Sequence, residues 1–220
     1  MKKFIRKYFP FLLLFGYGIF YLAWFCILEE KVVKNYKLIH MKIDDYIPFC
    51  EIFVIPYLLW FAYLAVVVIF LLKYDIKEYY KCCFFIFTGM TIFLIISTIF
   101  PNGHHLRLSV FPRDNIFTDL IGMLYKVDTS TNIVPSIHVY NSIGAHIAIS
   151  RSSKTASNRR LQTASFILSF SIILSTVMIK QHSMFDVIMA FLMAMVMYSI
   201  VYLPAYSTQE RGTFEHNIDI

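Results

Sequence analysis

Six long apolar runs leave this chain few folds to choose from. They cover about 8–28, 52–72, 82–100, 134–149, 161–179 and 184–203, and in a bilayer such runs satisfy their backbone as helices. Hydrophobic residues make up 58% of the 220 residues and charged ones 15%, against about 45–50% and about 25% in a soluble domain. The expected fold is all-α: a polytopic membrane protein with six transmembrane helices, a single domain over 1–204 and a polar tail over 205–220. Little length remains for a soluble domain.

The N-terminus begins like a signal peptide, with Lys2, Lys3, Arg6 and Lys7 ahead of the first run. That run is too long for an h-region and ends in Glu29-Glu30 instead of a small-residue cleavage site, so it reads as an uncleaved first span. The net charge of +6 belongs to loops and anionic lipid headgroups and implies no nucleic-acid partner. Cys26, Cys50, Cys82 and Cys83 show neither metal-ligand nor disulfide-framework spacing. Residues 29–51 read as a polar loop without a chemical signal.

Residues 101–132 interrupt the apolar pattern with Pro101, Asn102, Gly103, His104, His105, Arg107, Pro112, Arg113, Asp114 and Asn115. Within them, Phe117, Leu120, Ile121 and Leu124 recur at helical spacing over 116–127, which predicts a short amphipathic helix at the membrane interface before span four. Six spans put both termini on one side. The loops of that side carry 12 of the 20 basic residues, which assigns it to the cytoplasm. The end of span three, the start of span four and the junction of spans five and six then share the extracytoplasmic face.

That face collects Arg107, Arg113, Ser136, His138, Lys180, His182 and Asp186. Ionisable groups at a membrane level are costly and usually functional. Asp186 lies one helical turn after His182, where its carboxylate can hold one ring nitrogen and leave the other electron-rich. Arginine and lysine can cradle phosphate oxygens. The set suggests phosphoryl transfer without a metal or cofactor, with His182 attacking phosphorus and His138 protonating the departing oxygen.

The string Pro135-Ser136-Ile137-His138, then Ser175-Thr176, then Lys180-Gln181-His182-Ser183-Met184-Phe185-Asp186 resembles motifs of the type 2 phosphatidic acid phosphatase and haloperoxidase superfamily. The resemblance covers roughly 100–203, with the catalytic portion at about 100–190. It implies a phosphohistidine on His182 oriented by Asp186, His138 as the acid, and Ser136 with the basic residues binding phosphate. Ile137 stands where the family has glycine, and Ser175-Thr176 where it has Ser-Arg, which makes Lys180 the substitute for the lost guanidinium. Phe100 and Leu108 replace the first motif's lysine and proline, leaving Arg107 as the better match and Arg113 as a second phosphate ligand. Similar departures occur in the inositol-phosphorylceramide and sphingomyelin synthase branch.

The expected function is therefore hydrolysis of a lipid phosphate or isoprenoid (di)phosphate in the plasma (cell) membrane. Transfer of a phosphorylated headgroup to an alcohol stays open, as does a non-catalytic lipid-binding or transport role on the same fold. Adjacent His104 and His105 point different ways and make a poor metal pair. His146 reads as a buried structural histidine, and Asn141 and Ser142 as residues that join helices.

Overall fold

The computed structural model describes residues 2–31 and 35–203, so the tail expected at 205–220 lies outside the described residues. The apolar runs form helices α1 (Lys2–Lys31), α2 (Val54–Tyr74), α3 (Ile76–Ile99), α6 (Arg159–Met178) and α7 (Met184–Val201). These five, α2 together with a 3-10 turn at Glu51–Phe53, are long and apolar enough to cross a membrane. Large apolar side chains such as Phe15, Val66 and Met195 stand exposed on their outer faces, as suits an integral membrane protein. Short polar side chains start α3 and α6. Asp75 accepts from the Glu78 N–H at 3.2 Å to open α3, and Asn158 accepts from the Leu161 N–H at 3.1 Å to open α6.

Two shorter helices differ. Helix α4 (Ile116–Val127) is capped by Asn115, which accepts from the Phe117 and Thr118 N–H groups. Its Ile121 is buried, with Phe117, Leu124 and Tyr125 packed beside it. Ile116, Leu120, Met123 and Val127 stand exposed on the opposite face. Helix α5 (Ile137–Arg151) has 15 residues, fewer than the roughly 20 of an ordinary span. It is wrapped by α2, α3, α6 and α7, and its Tyr140, Asn141, Ser142 and Ala145 are fully buried. The approach to α3 requires glycine: a Cβ at Gly89 would lie 2.0 Å from the Tyr140 ring. The Tyr140 hydroxyl, seated there, donates to the Phe85 carbonyl at 2.8 Å.

Loops on the histidine side close over the ends of the bundle. Strand β1 (Lys37–Leu38) pairs in parallel with β2 (Asn102–Gly103). The buried Asn102 side chain accepts from the Ile133 and Val134 N–H groups at 2.9 and 3.0 Å. The chain entering α5 is thereby pinned to the chain leaving α3.

Candidate functional site

Helices α5 and α7 begin side by side, the Ser136 N–H donating to the Asp186 carbonyl at 3.2 Å. Ser136 caps α5 by accepting from the Val139 N–H at 3.4 Å, and Ser183 caps α7 by accepting from the Phe185 N–H at 3.1 Å. Each cap sits beside a histidine. His138 lies in the first turn of α5 and His182 precedes Ser183, with ring centroids 5.8 Å apart and planes at 58°. The expected meeting of His138, His182 and Asp186 is therefore present in the structure.

Asp186 Oδ2 accepts from the Ser183 N–H at 2.8 Å and lies 3.3 Å from His182 Nδ1. An ionised carboxylate offers only acceptors, so facing one Nδ1 is the protonated nitrogen of the neutral ring, the tautomer that leaves a lone pair on Nε2. Burial, reinforced by the nearby Arg107 charge, pushes the His182 imidazole down to about 3 against the Ile133 backbone. The ring is neutral at physiological pH, the form that can attack an electrophile. His138 is held between two rings of α2, stacked on Tyr57 at 4.5 Å and tilted against Trp60 at 4.3 Å.

Arg107 is the cation of the site, and most of its donors are spent. Nη1 donates to the Tyr125 carbonyl at 3.2 Å and the Asp128 carbonyl at 2.6 Å, and Nη2 donates to the Thr129 carbonyl at 2.7 Å and to Gln181 Oε1. The guanidinium also lies 4.7 Å over the Tyr125 ring. Four acidic or phenolic groups face it: Asp128, Tyr125, Tyr57 of α2 and Glu29 of α1. Burial raises the Asp128 carboxyl to about 6 even against the Arg107 charge, and Glu29 adds to the rise. Glu29 in turn accepts from the Asn132 amide at 2.9 Å.

Two expected phosphate ligands point elsewhere. Lys180 turns away from the histidines at φ 57°, and its Nζ donates to the Asp44 and Ile47 carbonyls at 2.9 and 2.6 Å. Burial lowers its pKa, opposed by Asp44 and Asp45. Its role is to fasten the loop of residues 44–47. Arg113 has 62% of its side chain exposed and pairs with Glu51 at 2.8 Å, beside a surface cavity at α4. Both placements have one physical source: a cation takes the nearest carbonyl or carboxylate, and these contacts come from segments remote in sequence. Ser136 is in place, although its oxygen already serves the α5 cap.

Residues with no local signal complete the region. Asp44, in a 3-10 turn at Lys42–Asp45, is buried and accepts from the Ser183 hydroxyl at 2.6 Å and the Met184 N–H at 2.8 Å. It anchors the start of α7, in a loop whose sequence shows no chemistry. His104 Nδ1 accepts from the Leu106 N–H at 3.0 Å, so Nε2 donates to the Gln181 carbonyl at 2.9 Å. Both ring nitrogens are used. Burial, with the Arg107 charge, lowers His104 to about 3 despite the Gln181 carbonyl, and the ring is a structural strut. His146, as expected, is structural: its Nδ1 bonds the Ser165 hydroxyl at 3.0 Å, which also bonds Tyr63 at 2.7 Å.

The decisive feature is what stays unspent. His138 Nδ1, both amide atoms of Asn141, Arg107 Nε, Gln181 Nε2, Asp186 Oδ1 and Trp60 Nε1 are buried and have no hydrogen-bond partner among the described residues. Buried polar atoms are paired in about nine cases of ten, and each orphan costs about 1–3 kcal/mol. Carrying so many around two histidines makes sense where a polar ligand completes them. Neither a protein-family model, a curated protein nor a solved structure matches this chain.

Proposed function

We propose that the chain is a membrane-embedded phosphatase of lipid phosphates or isoprenoid (di)phosphates that works through a phosphohistidine on His182. The observation that carries the reading is the His138–His182 pair, 5.8 Å apart with Asp186 behind His182. In the first step His182 Nε2 attacks phosphorus. The P–N bond forms, the P–O bond to the lipid breaks, and the departing oxygen takes a proton from His138. Water then attacks phosphorus while His138 takes its proton, and the P–N bond breaks to release phosphate. Asp186 holds the Nδ1 proton and stabilises positive charge as it develops on the ring.

In the bilayer, α5 supplies the sixth span, its short length offset by the loops that cap its ends. Helix α4 lies at the interface with Ile116, Leu120, Met123 and Val127, all exposed on one face, turned to lipid. The termini are cytoplasmic and the histidines open to the outer leaflet of the plasma membrane, where lipid enters from the side.

The test is purified protein in detergent with a panel of lipid phosphates, read as inorganic phosphate and as any new lipid. Phosphate release that disappears in His182→Ala supports the phosphatase. A new headgroup-bearing lipid without free phosphate supports a phosphotransferase, and no product with any substrate supports a binding or transport protein.

A further inference from the structure

We infer that the side-chain amide of Gln181, together with the Nε–H of Arg107, is the ligand for the transferring phosphate's oxygens. This rests on the phosphatase reading and assigns the anion-binding role that Lys180 and Arg113 do not fill.

A guanidinium has five N–H donors, and Arg107 places its four Nη hydrogens on the Tyr125, Asp128 and Thr129 carbonyls and on Gln181. Only Nε–H remains, buried and unpartnered among the described residues. Because a guanidinium only donates, the Gln181 atom it meets must be Oε1, and the amide orientation follows. The Gln181 NH2 is then directed away from Arg107, and it too is buried without a partner among the described residues. Residue 181 is 2% exposed and held at three points. Its carbonyl accepts from His104, its N–H donates to the Thr176 carbonyl at 3.0 Å, and its Oε1 is held by Arg107.

The next residue is His182, whose ring feels the Arg107 charge. Three N–H hydrogens thus stay unspent, two on the residue that precedes the nucleophile and one on the guanidinium that holds that residue. Donors fixed before the reaction and shielded from water are the arrangement that stabilises charge on phosphate oxygens. A neutral amide adds donors without a second cation. It therefore leaves the Nε2 lone pair of His182 unopposed by further positive charge.

The test compares Gln181→Met and Gln181→Glu with the full-length protein in detergent, reading kcat, KM, inhibition by orthovanadate and the thermal midpoint. Gln181→Glu keeps an oxygen for Arg107 and deletes the donor. Gln181→Met deletes both without adding charge. The inference expects vanadate inhibition to weaken about ten- to a hundredfold in both variants, the loss of a hydrogen bond to a charged group, with kcat/KM falling about a hundredfold. If Gln181 acted only by holding Arg107, Gln181→Glu would keep wild-type vanadate inhibition and KM, and that result overturns the inference while wild-type turnover stands. Should Gln181→Met fail to fold, Gln181→Leu takes its place, because the carboxylate of Gln181→Glu by itself repels an oxyanion. Wild-type protein that neither releases phosphate nor binds vanadate overturns the phosphatase reading and this inference with it.

Discussion

At its C-terminal end α5 is tied down by polar side chains. Gln162 donates to the Ile149 and Thr155 carbonyls and accepts from the Ser150 hydroxyl, while Asp75 gathers the Ser152 hydroxyl at 2.8 Å and the Ser153 N–H at 3.1 Å. At its N-terminal end a more deeply buried set, His138 and Asn141 with their neighbours Arg107, Gln181 and Asp186, keeps donors and acceptors unspent. The contrast separates two uses of polarity. Closed networks hold a fold together, and open ones cost stability and are tolerated where a ligand closes them.

Substitutions at the two ends should therefore fail in different ways, and the largest effect belongs to the open end. His182→Ala should lose turnover by about four orders of magnitude or more, with the thermal midpoint nearly unchanged. His138→Ala should slow turnover about a hundred- to ten-thousandfold, most with poor leaving groups, because those need the proton in the transition state. Rates on aryl and alkyl phosphates check this, and equal losses on both would remove His138 as the acid.

The closed end should show the reverse. Asp75→Ala strands the Ser152 and Ser153 donors and the α3 cap, and should cost about 1–3 kcal/mol of stability. Activity per folded molecule should stay at the wild-type level. A loss of activity without a loss of stability would erase the distinction between the ends.

Acid should weaken the histidine end first. His104 and His182 are held at about 3 against an ordinary 6.5. Their contribution to stability is therefore complete above about 6.5 and lost as pH falls toward 3. Asp128, raised from 3.8 to about 6, works the other way, its contribution present in acid and lost as pH rises through about 6. Two large depressions outweigh one smaller elevation, so the thermal midpoint should fall between neutral pH and about 4. Asp128→Asn should steepen that fall, and melting curves across the range would show it. The smallest expected effect is Arg113→Ala: its guanidinium is largely exposed, so its pair with Glu51 is worth about 1 kcal/mol, and turnover should change by less than about tenfold.

The apolar runs and the four-residue spacing of His182 and Asp186 were legible in the sequence because both are local. The first follows from hydropathy and the second from helical geometry. The meeting of His138 with His182 was legible through topology, since adjacent spans return the chain to the same face. Partners of long cations were not. Lys180 and Arg113 are settled by Asp44, Ile47 and Glu51, which approach through loops remote in the chain. Asp44 itself carries no local mark of its place at the start of α7. Gln181 was hidden for a related reason, because an amide next to a histidine gains meaning only once Arg107 fixes which end of it is free.

The central claim is that His182 becomes phosphorylated, and intact-protein mass spectrometry after rapid alkaline quench of an enzyme–substrate mixture tests it most directly. The account predicts one added phosphoryl group, labile to acid and stable to base as a phosphoramidate is, mapped to His182. It should be missing in His182→Ala and accumulate in His138→Ala with a good leaving group, because water then lacks its base. Phosphate release at the wild-type rate with no adduct on His182 at any quench time, or an adduct that persists in His182→Ala, would contradict the account.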